Sequence, residues 1–168
     1  GNLNITFIQN SKELASGTFT ARLIAFLATF GIQAEADERQ ALTIDGLKIS
    51  GSAQSIHKGR ILHHATLLFS TDLYRLTTAL KNTERKPEKK EMKPAPFYVK
   101  SVRSPVTNIC TYTRKAVSIG EFRDALLNYF TENRTDTRPY SFTEDDLNAI
   151  RSLRDNKYAT SAWNFNIR

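Results

Sequence analysis

Residues Leu42 to Phe69, LTIDGLKISGSAQSIHKGRILHHATLLF, constrain the fold of this chain more than any other stretch. Leu42-Thr43-Ile44 lead into Asp45-Gly46, and Leu47-Lys48-Ile49 lead out. An Asp-Gly pair between β-prone runs predicts a two-residue hairpin, because a type I′ turn needs positive φ at both central positions. The period of two then sets Leu47 and Ile49 on one face of the outgoing strand, with Lys48 and Ser50 on the other. Ser50-Gly51-Ser52-Ala53 follows. These side chains are all small, and the run predicts a turn at which a ligand can approach the backbone. A second strand is predicted over 60–69. It carries His64, Thr66 and Leu68 on one face and His63, Ala65, Leu67 and Phe69 on the other.

Two features of this stretch carry chemistry. A lysine beside a small-residue turn suits an anion, since the ammonium neutralises a phosphate while backbone N–H groups close on it. Taken alone, a strand lysine is more often a solvated side chain. The paired histidines suggest metal ligation only with a third ligand at suitable spacing. His57 is the only other histidine, so the pair is read as structural and no metal site is assigned.

Around this centre the chain alternates strands and helices. An alternating strand begins at Leu3 with Leu3, Ile5 and Phe7 on one face, so the chain opens directly on a core strand and reads as a domain lacking its beginning. Phe19, Leu23, Phe26, Leu27 and Phe30 make a helical stripe over 18–30, with Ser16 or Thr18 as cap and Gly31 as stop. A short strand over 32–36 and a polar link, Asp37 to Gln40, complete the approach to the hairpin.

A short helix is predicted over 72–80, carrying Leu73, Leu76, Thr77 and Leu80. The run 81–96, KNTERKPEKKEMKPAP, is charged and proline-bearing and predicts a mobile loop. Order returns over 99–109 with Arg103, Thr107 and Asn108. Capping boxes Ser118/Glu121 and Thr143/Asp146 then open two helices, striped by Phe122, Leu126 and Phe130 and by Leu147, Ile150 and Leu153. Both read as packing helices. The expected class is α+β, a single domain over 1–168 with helices packed on a mixed, largely antiparallel sheet.

Charge and composition narrow the partners. A net charge of +7 points to an anionic partner, either nucleic acid or a nucleotide together with an acidic acceptor protein. The basic loop lacks the interleaved aromatics that stack bases, which argues against nucleic acid. No run approaches the ~18 apolar residues of a membrane span, and there is no signal-peptide pattern. One cysteine, Cys110, excludes an internal disulfide framework and suits a reducing cytoplasm, the expected location.

Three ordered strings, IDGLKISGSAQ, HHATLLFSTDL and SVRSPVTNI, resemble the catalytic domain of lipoate–protein ligases in the biotin/lipoate ligase superfamily. That family shows K-[IV]-S-G-S-A, H-H-G-T-L-L and K-S-V-R-S-x-V-T-N in the same order. The resemblance implies ATP-dependent activation of lipoate, with Mg2+, to lipoyl-adenylate and pyrophosphate. The lipoyl group then passes to a lysine of a lipoyl carrier domain, in a 2-oxoacid dehydrogenase complex or the glycine cleavage H protein. It casts Lys48 as the catalytic cation on the adenylate phosphate and acyl carbonyl. Gly51, Ser52 and Ala53 become a backbone wall of the ATP and lipoyl-adenylate site, His64, Ala65 and Thr66 its pocket strand, and Asn2 a phosphate neighbour. Carrier domains are usually acidic, which suits a basic enzyme surface.

Several family features differ here. The R-R-x-S-G-G-G-x-V-x-H-D block that precedes the family's Gly-Asn pair has no counterpart in the sequence, nor has the small C-terminal accessory domain. Arg39-Gln40-Ala41 stands for Arg-Asn-Asp, and Ala65 stands for a glycine, which would put a methyl in the pocket. Ser161-Ala162-Trp163-Asn164-Phe165-Asn166 stands for W-E-W-N-x-G. Weak or absent ligase activity of this chain alone is therefore expected. Two alternatives stay open. One is a non-catalytic module that binds lipoate, an adenylate or a carrier domain. The other is an octanoyl or lipoyl transferase, which needs an activated thiol; Cys110 lies outside the position expected for it.

Overall fold

The computed structural model describes residues 1–10, 17–81, 104–132 and 137–165. The chain divides into two compact units, Gly1–Phe130 and Thr131–Arg168. Within the first, β1 (Asn2–Asn10), β5 (Ser50–His57) and β6 (Arg60–Leu68) form one sheet in the order β1-β6-β5. A second sheet joins β2 (Glu35–Ala36), β3 (Leu42–Ile44) and β4 (Leu47–Lys48) in sequence order. Every strand pair in both sheets is antiparallel. An isolated parallel bridge joins Lys48 to Val106. With α1 (Thr18–Thr29), α2 (Leu73–Lys81) and α3 (Ile119–Thr131), this is the α+β class expected.

The Asp45-Gly46 turn forms as its chemistry demands, with φ of 50° and 74°. The Ser50–Ala53 run, however, is not a turn. It opens β5, which pairs with β6 residue by residue from Ser50↔Leu67 to His57↔Arg60. The turn lies instead at Lys58-Gly59, where φ is 47° and 73°. A lysine replaces the usual Asn or Asp at the first left-handed position, so this second hairpin carries half of the usual sequence signal.

Both helical stripes are buried where their spacing places them, except Phe30, which caps the end of α1 half-buried against the core. Phe19, Leu23, Phe26 and Leu27 of α1 and Phe122, Leu126 and Phe130 of α3 enter one core with Ile49, Ala65, Leu67, Phe69 and Ile109. The Ser118/Glu121 box is made in both directions, at 3.2 and 2.8 Å. The predicted cap of α1 differs. Its N-cap is Gly17, without a side-chain cap bond, and Thr18 is the first helical residue; Ser16 lies outside the described residues. The strand expected over 32–36 is confined to Glu35–Ala36.

Gly31 closes α1 with φ of 76°, its N–H on the Ala28 carbonyl at 2.9 Å. A Cβ there would collide with the Arg114 guanidinium as well as force a side chain into the left-handed region. Gly31→Ala is expected to cost about 1–2 kcal/mol of stability, read from the urea midpoint at an unchanged m-value.

In the second unit the Thr143/Asp146 capping box starts α4 (Glu144–Leu153), which continues through a π-type turn, Arg154–Tyr158, to α5 (Ser161–Phe165). The box forms as predicted, but the packing role does not. No residue of α4 is buried, and Ile150 and Leu153 stand 48 % and 54 % exposed. A segment this short cannot enclose a core of its own. The predicted mobile loop lies outside the described residues beyond Lys81, as do Arg103 and Asn166.

Candidate functional site

The register of β1, β6 and β5 sorts their side chains onto two faces, because directly opposed residues share a face. On the core side stand Leu3, Ile5 and Phe7, then His63, Ala65 and Leu67, then Ser50, Ser52 and Gln54. The other face carries Asn4 and Thr6, then Thr66 and His64, then Gly51 and Ala53. Asn2 stands at its end. His64 and Thr66 are half-buried there, while Asn4, Thr6 and Ala53 are exposed. From Asn4 to Thr6 this open face is small and polar, whereas Ile8 and Leu62 continue it as apolar residues, 61 % and 37 % exposed.

Hydrogen bonds tie the polar row together. Thr66 Oγ1 donates to Asn4 Oδ1 at 2.9 Å, and Thr6 Oγ1 lies 2.9 Å from His64 Nδ1. Thr71 Oγ1 donates to Asn2 Oδ1. Asn108 holds Thr71 in turn, accepting from its N–H at 2.8 Å and donating to its carbonyl at 2.9 Å. Gly51 adds no Cβ to the face, and one built there would meet nothing within 4 Å. A ligand can therefore lie against the β5 backbone at this point without displacing protein atoms.

Lys48 ends β4 immediately before the junction of the two sheets. Its backbone is held on both edges: it pairs with Thr43, its N–H donates to the Pro105 carbonyl at 2.8 Å, and its carbonyl accepts from Thr107 N–H at 3.0 Å. Ile49 then bridges the sheets, donating to Leu42 and accepting from Leu68, both at 2.8 Å. Simple alternation breaks here, since Ile49 and Ser50 are both buried. The Lys48 side chain is half-buried and has no recorded partner among the described residues. The backbone of this cation is fixed, and among the described residues its ammonium makes no ion pair.

Of the residues singled out from sequence, Asn2, Gly51, Ala53, His64 and Thr66 thus come together on the open side, with Lys48 on the adjoining strand. Two do not join them. Ser52 faces the core side, where its hydroxyl donates to the Gln40 carbonyl at 3.2 Å. Ala65 is 1 % exposed within the hydrophobic core. Its methyl fills packing space instead of the pocket, so the alanine-for-glycine change leaves the open face clear. Ser52, Ala53, Gln54 and His63 line a cavity of about 200 Å3 together with Arg39 and Gln40.

Sequence reasoning overlooked Asn4 and Thr6. Their signal was the polar half of the alternation whose apolar half, Leu3-Ile5-Phe7, identified the strand. Cys110 sits half-buried in a 3₁₀ turn, Ile109–Thr111, with its N–H on the Phe69 carbonyl at 3.0 Å. Among the described residues no cluster of three His, Cys, Asp or Glu side chains is placed to hold a metal ion. No described helix is long and apolar enough to cross a membrane.

His63 is the site strand's core anchor. It is 2 % exposed, stacks on Phe19 at 4.8 Å, and its Nδ1 lies 3.0 Å from Gln54 Nε2, which can only donate. The ring proton therefore sits on Nε2, which is buried without a partner. Burial first, and then the neighbouring His64, push its pKa below the ordinary histidine value. The neutral ring is favoured in the fold, so its stabilisation is complete above the unfolded value of about 6.5 and declines as pH falls below it. Thermal unfolding from about pH 7.5 to pH 5 should show this acid loss, and His63→Phe, which keeps the stack on Phe19, should flatten the profile.

Comparison with known proteins gives the family. Residues 1–131 match the family model described as the lipoyl protein ligase A/B catalytic domain. The chain is 35 % identical over 170 residues to the lipoate-protein ligase LplJ of Bacillus subtilis, covering 98 % of this chain and 49 % of that protein. Among solved structures it resembles Ta0514 of Thermoplasma acidophilum, described as a putative lipoate protein ligase. The TM-score is 0.70 at 25 % identity, over 99 % of this chain and 65 % of the other. A structure of the bi-partite lipoate protein ligase of that organism and its E2 lipoyl domain matches at a TM-score of 0.65 and 26 % identity. It covers 100 % of this chain and 66 % of the other. The chain spans about half the length of the curated relative. It belongs to the lipoyl protein ligase A/B catalytic-domain family.

Proposed function

We propose that the open face of β1, β6 and β5 binds an acyl-adenylate made from lipoate and ATP. Lys48 is the cation that stabilises the negative charge developing as the adenylate forms and is then consumed. The observation that carries this reading is a backbone-clamped lysine on the strand that leads into β5, together with a tied polar face on which Gly51 leaves room for a ligand. A fixed cation that need not reorganise is the arrangement that favours charge developing in a transition state. Gly51 and Ala53 supply the wall, His64 and Thr66 the floor, and Asn2 stands at the end of the row. Ser52 and Ala65 support the face from behind.

Lipoate adds its carboxylate to the α-phosphorus of ATP, releasing pyrophosphate. A lysine amine of a lipoyl carrier domain then attacks the acyl carbon and releases AMP. The carrier belongs to a 2-oxoacid dehydrogenase complex or is the glycine cleavage H protein, and the setting is the cytoplasm. Mg2+ bound with the nucleotide would supply neutralising charge to it.

One experiment separates the readings. The purified chain is incubated with lipoate, ATP, Mg2+ and a lipoyl carrier domain, and modification of the carrier is followed by mass spectrometry. ATP-dependent lipoylation that disappears in Lys48→Ala supports the ligase. Octanoyl transfer from an acylated carrier without ATP, lost in Cys110→Ser, would replace it with the transferase. Binding of an adenylate analogue with no modification at all would leave a non-catalytic module.

A further inference from the structure

We infer that Thr6 is a positioning residue. It fixes His64 with Nδ1 as acceptor and presents Nε2–H to an oxygen of the bound acyl-adenylate. This assignment rests on the ligand-face reading above.

It starts from the polar row of β1. Asn2, Asn4 and Thr6 alternate along the strand, and each is joined to a side chain beyond it, Thr71, Thr66 and His64 respectively. In the first two pairs a threonine hydroxyl spends its one proton on an asparagine carbonyl. In the third pair the threonine lies on β1 and the imidazole on β6, directly opposed in the register. The hydroxyl has one proton, and among the described residues its recorded partner is His64 Nδ1, at 2.9 Å. Donation to Nδ1 satisfies both groups and leaves the ring proton of neutral His64 on Nε2. A free neutral histidine side chain favours the same tautomer, so the two preferences add.

The neighbouring His63 holds the same tautomer through Gln54, yet its Nε2 is buried in the core. His64 Nε2 belongs to the half-buried ring on the open face. Two adjacent histidines are thus held alike by different partners, one facing the packing and one facing the ligand side. A fixed N–H donor on that face suits a carbonyl or phosphoryl oxygen, the acceptors an acyl-adenylate carries.

The test uses Thr6→Val and Thr6→Ser. Valine matches threonine in shape and favours a strand, so the exposed edge position retains its fold. Long-range 1H–15N spectra of the histidine rings, recorded at about pH 8, above the ordinary histidine range, report the tautomer of each ring. The wild type and Thr6→Ser should show His64 with its proton on Nε2, and Thr6→Val should show a mixture, while His63 stays constant in all three. A sulfamoyl analogue of lipoyl-adenylate should bind Thr6→Val about tenfold more weakly than wild type, the scale of one misplaced hydrogen bond, and Thr6→Ser should restore affinity. An unchanged His64 tautomer in Thr6→Val overturns the assignment. So does a changed tautomer with unchanged affinity. Absence of analogue binding by the wild type would instead reject the ligand-face reading, with the ring spectra still deciding whether Thr6 fixes His64.

Discussion

Lys48→Ala is expected to lower acyl-adenylate formation by about 10²-fold or more, while leaving the fold intact. The magnitude is that of removing one preorganised charge from a developing oxyanion, about 2.7 kcal/mol of barrier or more. Structural loss should be small, because the backbone bonds to Pro105 and Thr107 and the pairing with Thr43 do not involve the ammonium. A half-buried lysine with no ion pair among the described residues contributes little, so the melting temperature should stay near that of wild type. Lys48→Arg should recover only part of the rate, since a planar guanidinium presents its donors in a different geometry from a compact ammonium. Single-turnover formation of the adenylate, with unfolding curves on the same preparations, checks both halves of the expectation.

The largest effect on stability is expected from Phe122→Ala. Phe122 is 0 % exposed, and its ring centroid lies 4.7 Å from Phe69, 5.2 Å from Phe26 and 5.2 Å from Phe30. It therefore joins α1, α3 and the end of β6 at one point. Truncation removes the transfer free energy of the ring and leaves a cavity walled by three rigid aromatics, which collapse poorly. A cost of about 3–5 kcal/mol follows. That is a large share of the 5–15 kcal/mol of a typical domain. Urea unfolding should show a midpoint shift at constant slope. Because Phe69 directly follows the strand that carries His64 and Thr66, the variant should also weaken ligand binding near its unfolding transition.

Much of this fold can be read from the chain because its signals are local. Asp45-Gly46 needs only its own two residues to specify a turn, and the Phe19–Phe30 and Phe122–Phe130 stripes need only helical periodicity. The Ser50–Ala53 run misleads for the opposite reason. Serine, glycine and alanine have weak strand preference, and these residues become a strand through pairing with β6, a tertiary effect. Lys58-Gly59 adds to the difficulty by carrying glycine at only one of its two left-handed positions. Ala65 shows how a motif can name a position without giving its direction. Its place on the second strand was legible, but its burial followed from the register that sets His64 and Thr66 outward. Asn4 and Thr6 were hidden because polar residues opposite an apolar stripe usually indicate only a solvated face. α4 has two good local signals, a capping box and an apolar stripe, yet periodicity cannot say whether a stripe has anything to cover it.

The most direct measurement is a calorimetric titration of the sulfamoyl analogue of lipoyl-adenylate into the wild-type chain and into Lys48→Ala, with amide chemical shifts followed in parallel. The account predicts saturable binding to the wild type, shifts concentrated at Gly51, Ala53, His64 and Thr66, and affinity weakened about 10²-fold without Lys48. Equal affinity in the two proteins, or shifts confined to the core-side edge around Ser52 and Gln54, would contradict it.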